Sequence, residues 1–242
     1  MKGPILQVRG VTKKFGSLIA VNDVSFDIED GEVVGLIGPN GAGKTTLFDT
    51  LTGINTPEGG RVIFSEQDIT GMYPHRICKL GISRTFQVTR AFTSMTVEEA
   101  IRVGAYNRYG EREVDSKVDE IIEFFNMKNI RRTACSDLGL APLKRVGLAR
   151  AMATEPTLLL LDEAGAGLNA TEMAELMYML TTLRKERNIT LCIVEHVMQM
   201  VMGLCERIIV LDYGVLIAEG TPGEISENAK VIEAYLGKRS VK

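Results

Sequence analysis

The chain has 242 residues, 45% of them hydrophobic and 24% charged, which supplies core material for one large domain or two small ones. A formal net charge of -3 and a sequence pI near 5.6 exclude a general electrostatic attraction to nucleic acid, and no nucleic-acid partner is expected. No apolar run approaches the roughly 18 residues of a membrane-spanning helix, so work at a membrane would need other subunits.

In chain order, residues 5–8 and 24–28 alternate apolar and polar side chains, the pattern of short strands in a half-buried antiparallel sheet, with Phe15-Gly16 between them. The apolar run 33–37 then meets Gly38-Pro39-Asn40-Gly41-Ala42-Gly43-Lys44-Thr45-Thr46, and a segment follows in which Leu47 and Leu51 stand one helical turn apart. Strand, glycine loop and helix form the context in which G-x-x-x-x-G-K-[ST] signifies a phosphate-binding loop. Successive amides at Gly41, Ala42, Gly43 and Lys44 can face one concavity at a helix N-terminus and bond polyphosphate oxygens. Lys44 adds a point charge for the β and γ phosphates, and the Thr45 hydroxyl suits Mg²⁺.

Residues 55–60 are a turn and 61–64 a short strand; 81–87 read as a strand ending on Gln87, a polar group at a strand end. From about 88 to 156 the pattern becomes helical. Thr96 can cap a helix beginning at Val97, Val118, Ile121, Ile122 and Phe125 form a stripe, and 143–152 fit one more helix carrying Lys144, Arg145 and Arg150. Three apolar strands follow, 157–163, 191–195 and 207–211, alternating with helices at 171–187 and 197–205. Wholly apolar strands are those buried on both faces of a parallel sheet. The expected fold is therefore α/β with a helical insertion.

Asp162 and Glu163 stand at the carboxyl end of a buried strand, where α/β folds place ligands. Phosphoryl transfer to water needs a carboxylate near the metal and a group that activates the attacking water, and these adjacent acids can divide the two tasks. His196 follows the next strand and can hydrogen-bond a γ phosphate. His75 reads as a surface residue and Met198, Met200 and Met202 as adaptable helix packing. Cysteines 78, 135, 192 and 205 show no C-x-x-C or zinc spacing and read as small apolar residues of a reduced, cytosolic chain. Lys238, Arg239 and Lys242 read as a solvated tail.

In order and spacing these motifs resemble the ATPase subunit of ABC transporters over essentially the whole chain. The resemblance makes residues 38–45 Walker A, Gln87 the Q-loop, residues 158–162 Walker B with Glu163 as the catalytic glutamate, residues 166–169 the D-loop, and His196 the switch histidine. It places Phe15 where the family stacks an aromatic on adenine. Residues 81–87, 211–214, 217–222 and 231–237 are similar to the LivG type, which energises uptake of branched-chain amino acids; urea, other amides and lipopolysaccharide are the alternative cargoes. The resemblance implies a P-loop NTPase core of mostly parallel sheet with an N-terminal antiparallel β-subdomain (1–87 plus 157–242) and an inserted helical subdomain (88–156). It implies ATP and Mg²⁺ as cofactors, with Asn40, Gly41, Ala42, Gly43, Lys44, Thr45 and Thr46 on the nucleotide and Thr45, Gln87 and Asp162 serving the metal. Glu163, His196 and Gln87 would carry the chemistry.

Its partners would be a second ABC ATPase, transmembrane permease subunits and, indirectly, a periplasmic or extracellular binding protein, at the cytoplasmic membrane face. One segment departs from the family. Ala149-Arg150-Ala151 fixes the register in which Leu-Ser-Gly-Gly-Gln becomes Leu138-Gly139-Leu140-Ala141-Pro142, without the serine hydroxyl or the second glycine. The expected second ATPase is thus a different chain with an intact signature, and a mainly regulatory ATP-binding subunit is the rival reading.

Overall fold

The computed structural model describes residues 3–85 and 94–236. Strands β1 (Leu6–Phe15) and β2 (Leu18–Ile28) form one long hairpin that turns at Gly16, whose φ is +60°. Both strands are longer than the sequence pattern indicates. The register shifts between Val8 and Val11 around Gly10, and this irregularity interrupts the period of two although pairing continues to Phe15. Next come β3 (Val33–Ile37), helix α1 (Lys44–Leu51), β4 (Gly59–Phe64), β5 (Gln67–Asp68), α2 (Pro74–Leu80) and β6 (Ile82–Arg84). Here too the boundary differs: β6 stops at Arg84, and Gln87 lies outside the described residues.

The described elements between β6 and the next strand are all helical: α3 (Val97–Ala105), α4 (Val114–Phe124), two short 3₁₀ turns and α5 (Leu140–Met152). Thr96 caps α3 in a capping box with Glu99, as its sequence position suggests. Helix α5 begins at Leu140, earlier than the expected 143. Gly139 occupies its N-cap with no side-chain cap, and Pro142 fits because amides in a first turn have no intrahelical acceptor. The chain then runs β7 (Leu158–Asp162), α6 (Ala170–Arg187), β8 (Thr190–Val194), α7 (Met198–Leu204), β9 (Arg207–Asp212), β10 (Val215–Gly220), α8 (Pro222–Glu227) and α9 (Ala229–Leu236).

Two sheets result, an antiparallel one ordered β2-β1-β4-β5 and a six-stranded one ordered β10-β9-β3-β8-β7-β6, in which only the edge strand β10 runs antiparallel. Side chains of the parallel strands point alternately into two cores. Val33, Leu159, Leu161, Leu191, Ile193, Ile208 and Val210 join the helical side; Val34, Leu158, Leu160, Cys192, Val194 and Ile209 join α1 and the antiparallel sheet. Burial on both faces explains why β7 has no polar position before Asp162. Because β3, β7, β8 and β9 are parallel, the loops after them all emerge at one edge.

The packing around the phosphate loop is tight. A Cβ on Gly43, whose φ is +99°, would lie 2.3 Å from the Ala20 carbonyl oxygen, and one on Gly38 would lie 2.1 Å from that of Leu211. The loop is thus wedged between β2 and the end of β9. The cysteines among the described residues are all free, with Cys135, Cys192 and Cys205 buried as small apolar side chains, and no described helix is long and apolar enough to cross a membrane.

Candidate nucleotide site

At the shared strand edge is an open cleft of about 410 Å³, lined by Phe15, Leu18, Ile19, Ala20, the loop 40–46, Glu163, His196 and Tyr213. The cleft therefore brings together residues from β1, β2, the phosphate loop and the turns after β7, β8 and β9. Phe15 is 47% exposed at the hairpin tip and has the Lys13 ammonium 5.2 Å from its ring centroid. Its flat apolar face at the rim is available for stacking.

Gly43 is the N-cap of α1, which has neither a side-chain cap nor an acid in its first turn. The positive end of the helix dipole thus faces the cleft without a competing carboxylate from its own first turn. Lys44 folds over the loop, its Nζ donating to the carbonyl oxygens of Gly38 (2.7 Å) and Pro39 (2.9 Å). Burial holds its pKa below the ordinary lysine range, with the charges of Glu163 and Asp162 opposing that shift. The Ala42 amide instead closes a turn on the Pro39 carbonyl at 3.1 Å, and its side chain enters the core. Ala42 consequently shapes the loop from below, while its carbonyl receives the Gly214 amide at 3.0 Å.

Glu163 and His196 meet across the cleft, with Nε2 of the imidazole 3.2 Å from Oε1 of the carboxylate. Glu163 has a φ of +50°, a left-handed conformation that costs a non-glycine residue about 1–3 kcal/mol. Its amide donates to the Val194 carbonyl at 2.9 Å, so β8 holds the turn as well as leading into the loop that carries His196.

Asp162 occupies a different position from its neighbour. It is 5% exposed, and its Oδ2 accepts from Arg84 at 2.6 Å; the other terminal nitrogen of Arg84 donates to Asp49 Oδ1 at 2.5 Å. Asp162 thus sits behind the cleft wall, in a bridge joining α1, β6 and β7. Thr45, by contrast, is exposed on the cleft. A hydroxyl and a carboxylate are hard oxygen donors of the type Mg²⁺ takes, and Mg²⁺ on a nucleotide draws its remaining ligands from phosphates and water. Thr45 therefore fits the metal from the open side of the cleft, whereas Asp162, bound to Arg84, would serve it from behind the wall; no group of three His, Cys, Asp or Glu side chains able to hold a metal occurs among the described residues.

Sequence reasoning passed over Arg84, Lys144 and Glu195 as chemical residues. Arg84 and Glu195 left a signal, being charges beside apolar strands. Lys144 left none, because its contact is with a loop 19 residues away: its Nζ donates to the carbonyls of Glu163 (2.8 Å) and Ala164 (2.9 Å). Glu195 is buried and accepts from the Gly165 amide at 2.5 Å; burial raises its pKa, and hydrogen bonds from the amides of Gly165, Val197 and His196 counter the rise.

A strand, a glycine loop wedged at a helix N-terminus, and an acid–histidine pair across the cleft define a P-loop nucleotide-binding protein. Residues 21–166 match the family model described as ABC transporter, and residues 215–240 match that of the branched-chain amino acid ATP-binding cassette transporter. The chain is similar to the high-affinity branched-chain amino acid transport ATP-binding protein BraF of Pseudomonas aeruginosa, at 38% identity covering 98% of this chain and all of the relative. It is likewise similar to LivG of Escherichia coli K12, at 37% identity with the same coverage. Among solved structures it resembles a nucleotide-free ATP-binding cassette from an ABC transporter, with TM-score 0.90 and 29% identity over 98% of this chain and all of that one. The ADP conformation of an ABC transporter cassette gives 0.88 and 29% over the same shares. The chain belongs to the ATP-binding cassette family of ABC transporters.

Proposed function

We propose that this chain is the ATP-hydrolysing subunit of an importer for branched-chain or other hydrophobic amino acids. The observation that carries the reading is the convergence of the phosphate loop and the Glu163–His196 pair on one cleft. The cargo is supported by full-length similarity to branched-chain amino acid transport proteins and by the match at residues 215–240.

Phe15 stacks on adenine, and the amides of Gly41, Gly43 and Lys44 together with the Lys44 ammonium bind the phosphates. Thr45, Asp162 and Gln87 would hold Mg²⁺, which when bound supplies charge neutralisation on those phosphates. Glu163 removes a proton from the attacking water, and His196 orients Glu163 and contacts the γ phosphate. The helical part, about 88–156, docks on the permease; Val103 of α3 and Tyr106 just after it are exposed and apolar enough for that contact. The chain works at the cytoplasmic membrane face beside a second ATPase.

A mainly regulatory ATP-binding role is the second reading, favoured by residues 138–142. Gly139 brings no hydroxyl to the N-terminus of α5, and the Ser136 hydroxyl is bonded to Asp137 at 3.0 Å. Proteoliposomes containing this chain, its permease and the signature-bearing ATPase decide between them. Leucine-stimulated phosphate release supports the importer; nucleotide binding with no phosphate release supports the regulatory role.

A further inference from the structure

The turn that carries Glu163 is held from two sides by side chains that do not line the cleft. From α5, the half-buried Lys144 ammonium bonds two successive carbonyls, those of Glu163 and Ala164. From the end of β8, the buried carboxylate of Glu195, the residue after the strand, accepts from the amide of Gly165. Together with the Glu163 amide on Val194, these bonds engage three consecutive residues of the turn. The turn contains a left-handed glutamate, and such a conformation persists where its surroundings over-determine it. The direction of the Glu163 side chain follows from that backbone conformation, so releasing the carbonyls lets the carboxylate swing from its 3.2 Å contact with His196.

We infer that Lys144 is a positioning residue for hydrolysis, with Glu195 as its counterpart on the opposite side of the turn: the pair fixes the backbone that aims Glu163 at the water. This rests on the reading of Glu163 as the water activator. Lys144 lies in α5 just beyond residues 138–142, which lead into that helix and form its start, so a displacement of that segment shifts the tie to Glu163. Movement at the start of α5 and the aim of Glu163 in the cleft are therefore mechanically joined within one chain.

The test compares Lys144→Met and Lys144→Arg in the assembled ATPase–permease complex. For Lys144→Met, turnover falls about 10- to 100-fold, as for a reacting group misplaced by an ångström or less, while KM for ATP changes less than about threefold. Lys144→Arg, which can still donate to both carbonyls, recovers most of the rate. In a Glu163→Gln background Lys144→Met costs nothing further, because both changes act through one carboxylate. Amide hydrogen exchange on the full chain supplies a second readout: protection falls at 164–167 and stays unchanged along β7. Unchanged turnover in Lys144→Met beside an active wild type overturns the positioning role alone. Equal losses in kcat and ATP affinity, or additive losses with Glu163→Gln, overturn it too. A wild-type complex without hydrolysis would remove the ATPase reading itself.

Discussion

Arg84→Met tests the buried charge bridge behind the cleft. The Arg84 side chain is 5% exposed and that of Asp162 6%, so removing the guanidinium leaves Asp162 in the interior without its countercharge and Asp49 without a partner on that side. Methionine fills much of the volume, which makes the loss chiefly electrostatic. Breaking a buried pair from one side costs about 3–5 kcal/mol, because an uncompensated charge remains. For a chain of this size each kcal/mol moves the midpoint by roughly 2–4 °C, so calorimetry reads a fall of about 6–20 °C. The companion variant Arg84→Lys keeps the charge but has one nitrogen for two acids, and its stability falls between wild type and Arg84→Met. Asp162→Asn combined with Arg84→Met is less damaging than the sum of the two single changes by at least about 1 kcal/mol. A loss below about 1 kcal/mol for Arg84→Met, or strict additivity in that cycle, would refute the bridge as an energetic unit.

Gly43→Ala puts a methyl group 2.3 Å from the Ala20 carbonyl at a φ of +99°, so equilibrium titration shows ATP affinity falling at least about 10-fold as the loop shifts. Retained affinity would show that the wedge yields freely. Phe15→Ala weakens ATP binding by about 1 kcal/mol, near fivefold, through the lost stacking surface; an unchanged Kd would remove Phe15 from the base site. Glu98 of α3 pairs with Arg102 on the same helix and with Arg131, and these guanidinium groups, Arg131 first, hold its pKa down at about 2, below the usual carboxylate range. A depressed carboxylate pKa stabilises the fold above the unfolded value and loses that contribution as pH falls through the folded one. The stability gap between wild type and Glu98→Gln is therefore full above about pH 5 and closes toward pH 2, and a pH-independent gap in urea titrations would contradict this linkage.

The core and the phosphate loop were legible because each is dictated locally. The apolar run at 158–161 has no solvent-facing position, and the glycines of 38–43 precede a helix directly. The hairpin was harder to read, since the register shift at Gly10 breaks the alternation that pairing with β2 and β4 nonetheless sustains. The start of α5 was hidden by Gly139 and Pro142, which resemble loop residues although both are tolerated in a first turn. Spacing indicated that Asp162 and Glu163 would diverge, as neighbours on a strand do, but could not show that Asp162 turns toward Arg84. Lys144 depends on a contact between α5 and the turn after β7, which no local pattern encodes. Gln87, the expected Q-loop residue, lies outside the described residues.

The most direct measurement of the central claim is phosphate release by the assembled complex carrying Glu163→Gln, made beside equilibrium MgATP binding on the same preparation. The substitution preserves size and removes the base, so turnover falls by about 10²–10⁴-fold while MgATP affinity stays within about threefold of wild type. Turnover close to wild type at intact affinity would contradict the account, because the water would then be activated by a group other than the one aimed across the cleft at His196.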